Sequence, residues 1–138
     1  MNYADWLAAL CIWREARGQS LAVKNAIWHV IQNRTQDAQR RWPRTISGVI
    51  QQHMQFSSMT AAGDPNLVAW PVEPIPGVDG SEDWKAYLDC QTVVESPLNA
   101  DPTAGANMYE SEPADKPPYW VKDATLTLDL VNTRFYRL

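Results

Sequence analysis

No run of apolar residues in this chain approaches the ~20 that a helix needs to cross a bilayer, so membrane insertion is not expected. Positive charge is in the minority: 12 Lys and Arg stand against 16 Asp and Glu, for a net charge of -4. That balance excludes a nucleic-acid or anionic-membrane binder that works through bulk charge. Arg40, Arg41 and Arg44 form the best local basic patch. There is no glycine-rich cradle for a phosphate. The two cysteines, Cys11 and Cys90, are too few for a disulfide scaffold; each falls inside a helical pattern and reads as a buried free thiol, with a disulfide between them as the alternative. A Cys–His nucleophile would need an exposed, activated thiol instead. The two histidines, His29 and His53, are not spaced with other ligands as a metal site requires. No metal and no cofactor is therefore expected. Met1-Asn2-Tyr3-Ala4-Asp5 lacks the basic start and apolar run of a signal peptide. The reading is a chain made in the cytoplasm that acts there, is carried out by another system, or has lost a leader.

What is present is an ordinary globular composition. The 138 residues, 45% hydrophobic and 20% charged, suit one domain over residues 1–138 with one core. Seven tryptophans are many for this length, and broad aromatic surfaces line sugar grooves as well as cores.

Asn2 caps a first predicted helix over 3–17, with Leu7, Leu10, Cys11 and Arg14 at helical spacing and Gly18 as its stop. Ser20 caps a second over 21–35, where Val23, Ala26, Ile27, Val30 and Ile31 form a core stripe. Arg34 continues that stripe and points inward. Thr45 caps a short helix over 46–52. Residues 53–58 read as an irregular loop, and 63–80, rich in proline and glycine, as a long surface loop. Ser81 caps a helix over 82–96 that Pro97 ends. Residues 101–109 read as a turn leading into a short strand, and Pro117-Pro118-Tyr119-Trp120 is a stiff aromatic segment. Alternation at Leu126, Leu128 and Leu130 followed by Asn132-Thr133 predicts a terminal hairpin. The sum is an α+β fold, mainly helical with a small antiparallel β-element.

Within this frame Glu15 is the best-placed carboxylate. It lies in the last turn of the first helix, where the negative dipole end disfavours another negative charge. Screening by Trp13 or Trp28 would hold its proton still more tightly, as a general acid requires. The plain alternative is a solvated helix-end charge paired with Arg14 or Arg17. Asp64, Glu73, Asp79 and Asp101 are candidate partners, none singled out by spacing, and Asp79 and Asp101 read as turn residues.

Leu10-Cys11-Ile12-Trp13-Arg14-Glu15-Ala16-Arg17-Gly18-Gln19, followed by Val30-Ile31-Gln32-Asn33-Arg34, resembles the opening of the SleB-like cell-wall hydrolases, a family of spore-cortex-lytic enzymes and phage endolysins. The likeness continues through 42–50, Gln55-Phe56-Ser57, Asp101 to Ala106, Tyr109, Trp120 and Phe135-Tyr136. It departs at Gln19, Ser58, Asn107 and Met108, and is poor over 58–80. The resemblance implies a lysozyme-like fold acting on peptidoglycan glycan strands; a monomer is expected, and the charge balance argues against a nucleic-acid partner. It implies Glu15 as the single catalytic acid/base, cleaving between N-acetylmuramic acid and N-acetylglucosamine. The outcome is a lytic transglycosylase forming 1,6-anhydro ends, or by water attack a muramidase. A non-catalytic peptidoglycan-binding module is the alternative of another class. Gln55, Ser57, Tyr109, Arg34 and Trp120 are the implied substrate-binding residues, each with a structural role as its alternative; that role is favoured for Arg34, as a brace of the helix pair, and for Trp120, as a core residue. With no leader read, the implied setting is a phage-type lysis enzyme reaching the wall after release.

Overall fold

The computed structural model describes residues 1–52, 55–78, 80–96, 100–113 and 116–138. The expected loop residues His53 and Met54, the candidate carboxylate Asp79 and the helix stop Pro97 lie outside them. Five helices are described: α1 (Tyr3–Ala16), α2 (Leu21–Thr35), α3 (Ile46–Gln51), α4 (Ser57–Thr60) and α5 (Glu82–Glu95). Three strands follow, β1 (Met108–Ser111), β2 (Thr125–Leu130) and β3 (Thr133–Arg137), in one antiparallel sheet of order β1-β3-β2. This is the α+β class that the sequence predicts.

Each longer helix starts where a side chain accepts an otherwise orphaned backbone N–H. Asn2 Oδ1 accepts from Asp5 N at 2.8 Å, Ser20 Oγ from Val23 N at 3.3 Å and Ser81 Oγ from Trp84 N at 3.1 Å. Thr45 Oγ1 does the same for Gly48 N at 3.1 Å. The end of α1 differs from expectation. Arg17 keeps right-handed helical angles, and Gly18 does not adopt the left-handed conformation of a glycine cap. The chain leaves instead through a tight turn, Gln19 N to Ala16 O at 3.0 Å.

α1 is the central helix. Every residue from Leu7 to Ala16 is buried except Glu15. A helix apolar on all sides belongs inside a core rather than on a surface. It packs against α5, α3 and α2, and Ile12, Trp13, Ile27, Ile31, Ile50, Phe56 and Phe135 fill the space between. Each such side chain contributes about 1.5–3 kcal/mol by leaving water. Cys11 and Cys90 are buried free thiols in this core.

Three loop predictions need correction. The segment expected to be irregular through residue 58 turns helical at Ser57, and the long loop contains a 3-10 turn at Pro65–Val68 capped by Asp64. The stiff aromatic segment enters a 3-10 turn at Tyr119–Asp123. In the hairpin, Leu126 lies opposite Tyr136 and Leu128 opposite Phe135, so Thr127 is an extra residue and a bulge. Strict alternation therefore fails: Leu126 faces solvent while Leu128 packs on the core.

Candidate active site

The last turn of α2 reaches across to the segment before β1. Asn33 Nδ2 donates to Ala106 O at 2.8 Å and to Asp101 Oδ2 at 3.0 Å. Arg34 Nε donates to Asn107 O at 2.7 Å. Asp101 in turn accepts from Thr103 N, Thr103 Oγ1 and Gly105 N, at 2.7, 2.6 and 3.0 Å. These bonds hold a turn in which Ala104 and Gly105 both take positive φ, 53° and 85°. Asp101 is thus a turn residue. The turn delivers β1, whose Tyr109 pairs with Phe135 in β3 and packs on its ring at 5.9 Å. That register points Tyr109 to the core side, where its hydroxyl donates to Glu15 Oε1 at 3.3 Å.

Around this pair lies a cavity of about 380 Å³. Glu15, Arg34, Gln55, Tyr109 and Trp120 all line it, together with Met108 and Tyr119. Of the six residues implied as site residues, only Ser57 is absent. Its hydroxyl donates to Asp64 Oδ2 at 2.7 Å and so braces the cap of the 3-10 turn rather than bordering the cavity. Ser58, noted in the sequence only as a departure from the family pattern, takes the inward position. It is fully buried, and its hydroxyl approaches Glu15 closely enough to favour the charged carboxylate, without the geometry of a full hydrogen bond.

Burial raises the Glu15 pKa, and the nearby charge of Asp64 raises it further. Ser58, Tyr109 and Arg34 act in the opposite sense but do not cancel the burial. Burial likewise pushes Tyr109 well above the ordinary phenol value, with Glu15 adding to it, so the hydroxyl stays neutral and remains a donor. The plain alternative for Glu15, a pair with a neighbouring arginine, is not what the geometry shows. Arg14 donates to Ala69 O at 3.0 Å and Ser58 O at 3.2 Å. Arg17 donates to Asn66 Oδ1 at 2.9 Å and lies 3.8 Å from Asp83. Trp13, expected as a screen, is turned away and donates to Asp83 O.

The remaining wall is held by packing. Arg34 is only 4% exposed, and its guanidinium lies 5.2 Å from the rings of both Trp42 and Phe56. Its Nη1 has no protein partner among the described residues. Trp42 Nε1 donates to Gln55 Oε1 at 3.3 Å, which leaves the Gln55 amide nitrogen for the cavity. Trp120 stands edge-on to Tyr136 at 5.2 Å, and Tyr119, 86% exposed, marks the mouth. Among the described residues no group of three His, Cys, Asp or Glu side chains could hold a metal ion, and no helix is long and apolar enough to cross a membrane. Chemically, the arrangement presents one protonatable carboxyl among neutral and cationic hydrogen-bond donors.

A family model described as cell wall hydrolase matches residues 18–136. Two solved structures are similar over nearly the whole chain. The catalytic domain of the germination-specific lytic transglycosylase SleB from Bacillus anthracis shares 24% identity, with a TM-score of 0.66, covering 99% of this chain and 97% of that one. The catalytic domain of the Bacillus cereus SleB protein shares 25% identity, also with a TM-score of 0.66, covering 97% of this chain and 89% of that one. No curated protein matches the sequence.

Proposed function

The chain belongs to the cell wall hydrolase family, and from that premise we propose that it cleaves peptidoglycan glycan strands between N-acetylmuramic acid and N-acetylglucosamine, as a lytic transglycosylase with Glu15 as its single acid/base. One observation carries the reading: Glu15 is the sole carboxylate among the described residues lining the cavity, and burial holds it toward its protonated form. Glycosidases that work through two carboxylates need both flanking the bond. Here the second negative charge, Asp64, is engaged by Ser57 and Asn66 N and is not among the lining residues.

In the proposed cycle, neutral Glu15 gives its proton to the bridging glycosidic oxygen as the C1–O bond breaks. The substrate's acetamido group stabilises the electron-poor C1. The Glu15 carboxylate then takes the proton of the C6 hydroxyl while that oxygen bonds to C1, closing the 1,6-anhydro ring and restoring the acid. Tyr109 keeps the carboxyl oriented. Gln55 and Arg34 supply the Nε2 and Nη1 donors for the sugar's carbonyl and hydroxyl oxygens, and Trp120 offers a ring face. The name of the Bacillus anthracis relative, a lytic transglycosylase, supports this choice of outcome. In this proposal residues 1–138 act as one catalytic unit, and a monomer suffices because one chain supplies every group used.

Mass spectrometry of digested peptidoglycan tests the proposal. Muropeptides ending in 1,6-anhydromuramic acid are expected. Reducing muramic ends alone would make the enzyme a muramidase, and undigested walls would leave only a binding module.

A further inference from the structure

A second cavity, of about 390 Å³, opens between α1, α5 and the proline-rich loop. We propose that it is a separate carbohydrate site, taking a β-linked N-acetylated amino sugar of the wall's glycan; this rests on the cell-wall reading above. Its walls are aromatic. Trp6 and Trp70 lie nearly parallel, 24° apart with centroids at 6.1 Å, and Trp84 and Tyr87 form a tilted pair at 5.5 Å. Such surfaces match the C–H faces of a pyranose ring, which is apolar on its faces and polar at its edge. Glu73 and Gln91 provide the polar complement. Among the described residues, the indole N–H groups of Trp6, Trp70 and Trp84 make no hydrogen bond to the protein. The cavity thus offers both donors and acceptors, as the hydroxyls and acetamido group of an amino sugar require. The Glu73 carboxylate favours this neutral ligand over the anionic carboxylates of stem peptides or an anionic phosphate polymer.

The site is also preformed. Pro71, Pro74 and Pro76 stiffen the loop. Arg14 ties it down through Ala69 O and lays its guanidinium 4.8 Å from the Trp70 ring. Trp70 is thereby held in place while 55% exposed. Leu10, on this cavity's wall, and Glu15 are separated by five helical positions, which places them on different faces of α1. A sugar here leaves the catalytic cavity open, and the enzyme gains a second hold on an insoluble polymer.

The test uses the whole chain, 15N-labelled, titrated with the β-1,4-linked trimer of N-acetylglucosamine. The indole N–H signals of Trp6, Trp70 and Trp84 are expected to shift saturably. Trp70→Ala, at an exposed loop position, and Gln91→Ala, on the surface of α5, should each weaken that response about tenfold, equivalent to about 1.4 kcal/mol. The Trp120 signal, which reports on the Glu15 cavity, should behave as in the parent protein. A response at Trp120 alone, or at no indole, overturns the site. So does a response of the Trp6 group to a stem tetrapeptide and not to the sugar. Wall lysis by the same preparation tests the catalytic reading separately: a lytic protein whose Trp6 group ignores the trimer loses this proposal and keeps the other.

Discussion

Tyr109 donates to Glu15 Oε1 at 3.3 Å across 94 residues of sequence. The contact joins the end of the central helix to the first strand, so the Glu15 carboxyl is oriented only when the sheet is docked. The bond favours ionised Glu15, while burial opposes ionisation and is the larger effect. The proposed acid is poised between the two.

Glu15→Gln should lower wall lysis by about 10²–10⁴-fold, the usual worth of a positioned acid/base. It should also change stability in a pH-dependent way. Glu15 has a raised pKa in the fold, so the native state binds its proton more tightly than the unfolded chain does. Stability is then lost as pH rises from the ordinary glutamate range through the raised value. Gln escapes that loss. Thermal unfolding should show the variant gaining on the parent over this window and no such gain below it. A pH-independent difference would contradict the raised pKa.

Tyr109→Phe removes a donor that stabilises the charged carboxylate. The Glu15 pKa should rise, and the alkaline limb of the activity profile should move to higher pH. The lost orientation should cost up to about tenfold in kcat, the scale of one hydrogen bond. A limb that stays in place would show that Tyr109 does not act on the titrating group.

Ser58→Ala and Ser57→Ala should part company. The first should shift the same alkaline limb upward, because Ser58 favours ionised Glu15. The second breaks the bond to Asp64 and should reduce loop stability by about 1 kcal/mol, with much less effect on the pH profile. Chemical denaturation and pH–rate curves of both variants check this; the reverse pattern would return Ser57 to the site.

Asp37→Asn should destabilise the fold near neutral pH. Arg41 Nε and Nη2 donate to the Asp37 carboxylate, both at 3.0 Å, and hold its pKa at about 2. The same arginine donates to Leu138 O at 2.8 Å and so fixes the chain end. A depressed pKa contributes stability above the ordinary aspartate value and loses it as pH falls toward 2. The expected difference of about 2 kcal/mol at pH 7 should shrink over that fall, as read by denaturant midpoints.

Helices were legible because their signals are local. Asn2, Ser20, Thr45 and Ser81 cap the starts that were expected, since a capping side chain reaches only three residues ahead. The inward aim of Arg34 followed from the stripe of α2. Its partner, the carbonyl of Asn107, did not, because no periodicity reports a bond between a helix and a distant turn. The choice between Ser57 and Ser58 was not legible either. They are adjacent, and the short helix α4 decides which hydroxyl turns inward. Trp13, Trp28 and Trp42 proved to be core residues and Trp70 an exposed one, although composition treats all tryptophans alike.

By itself the sequence determined the capped helices, the terminal hairpin and a carboxylate at the end of an apolar helix, because these depend on neighbours within a few residues. Only the tertiary structure decided that Arg14 and Arg17 leave Glu15 unpaired, that Tyr109 and Ser58 converge on it, and that burial tightens its hold on a proton. Those outcomes depend on desolvation and on contacts between distant segments, which exist only once the core has closed around α1.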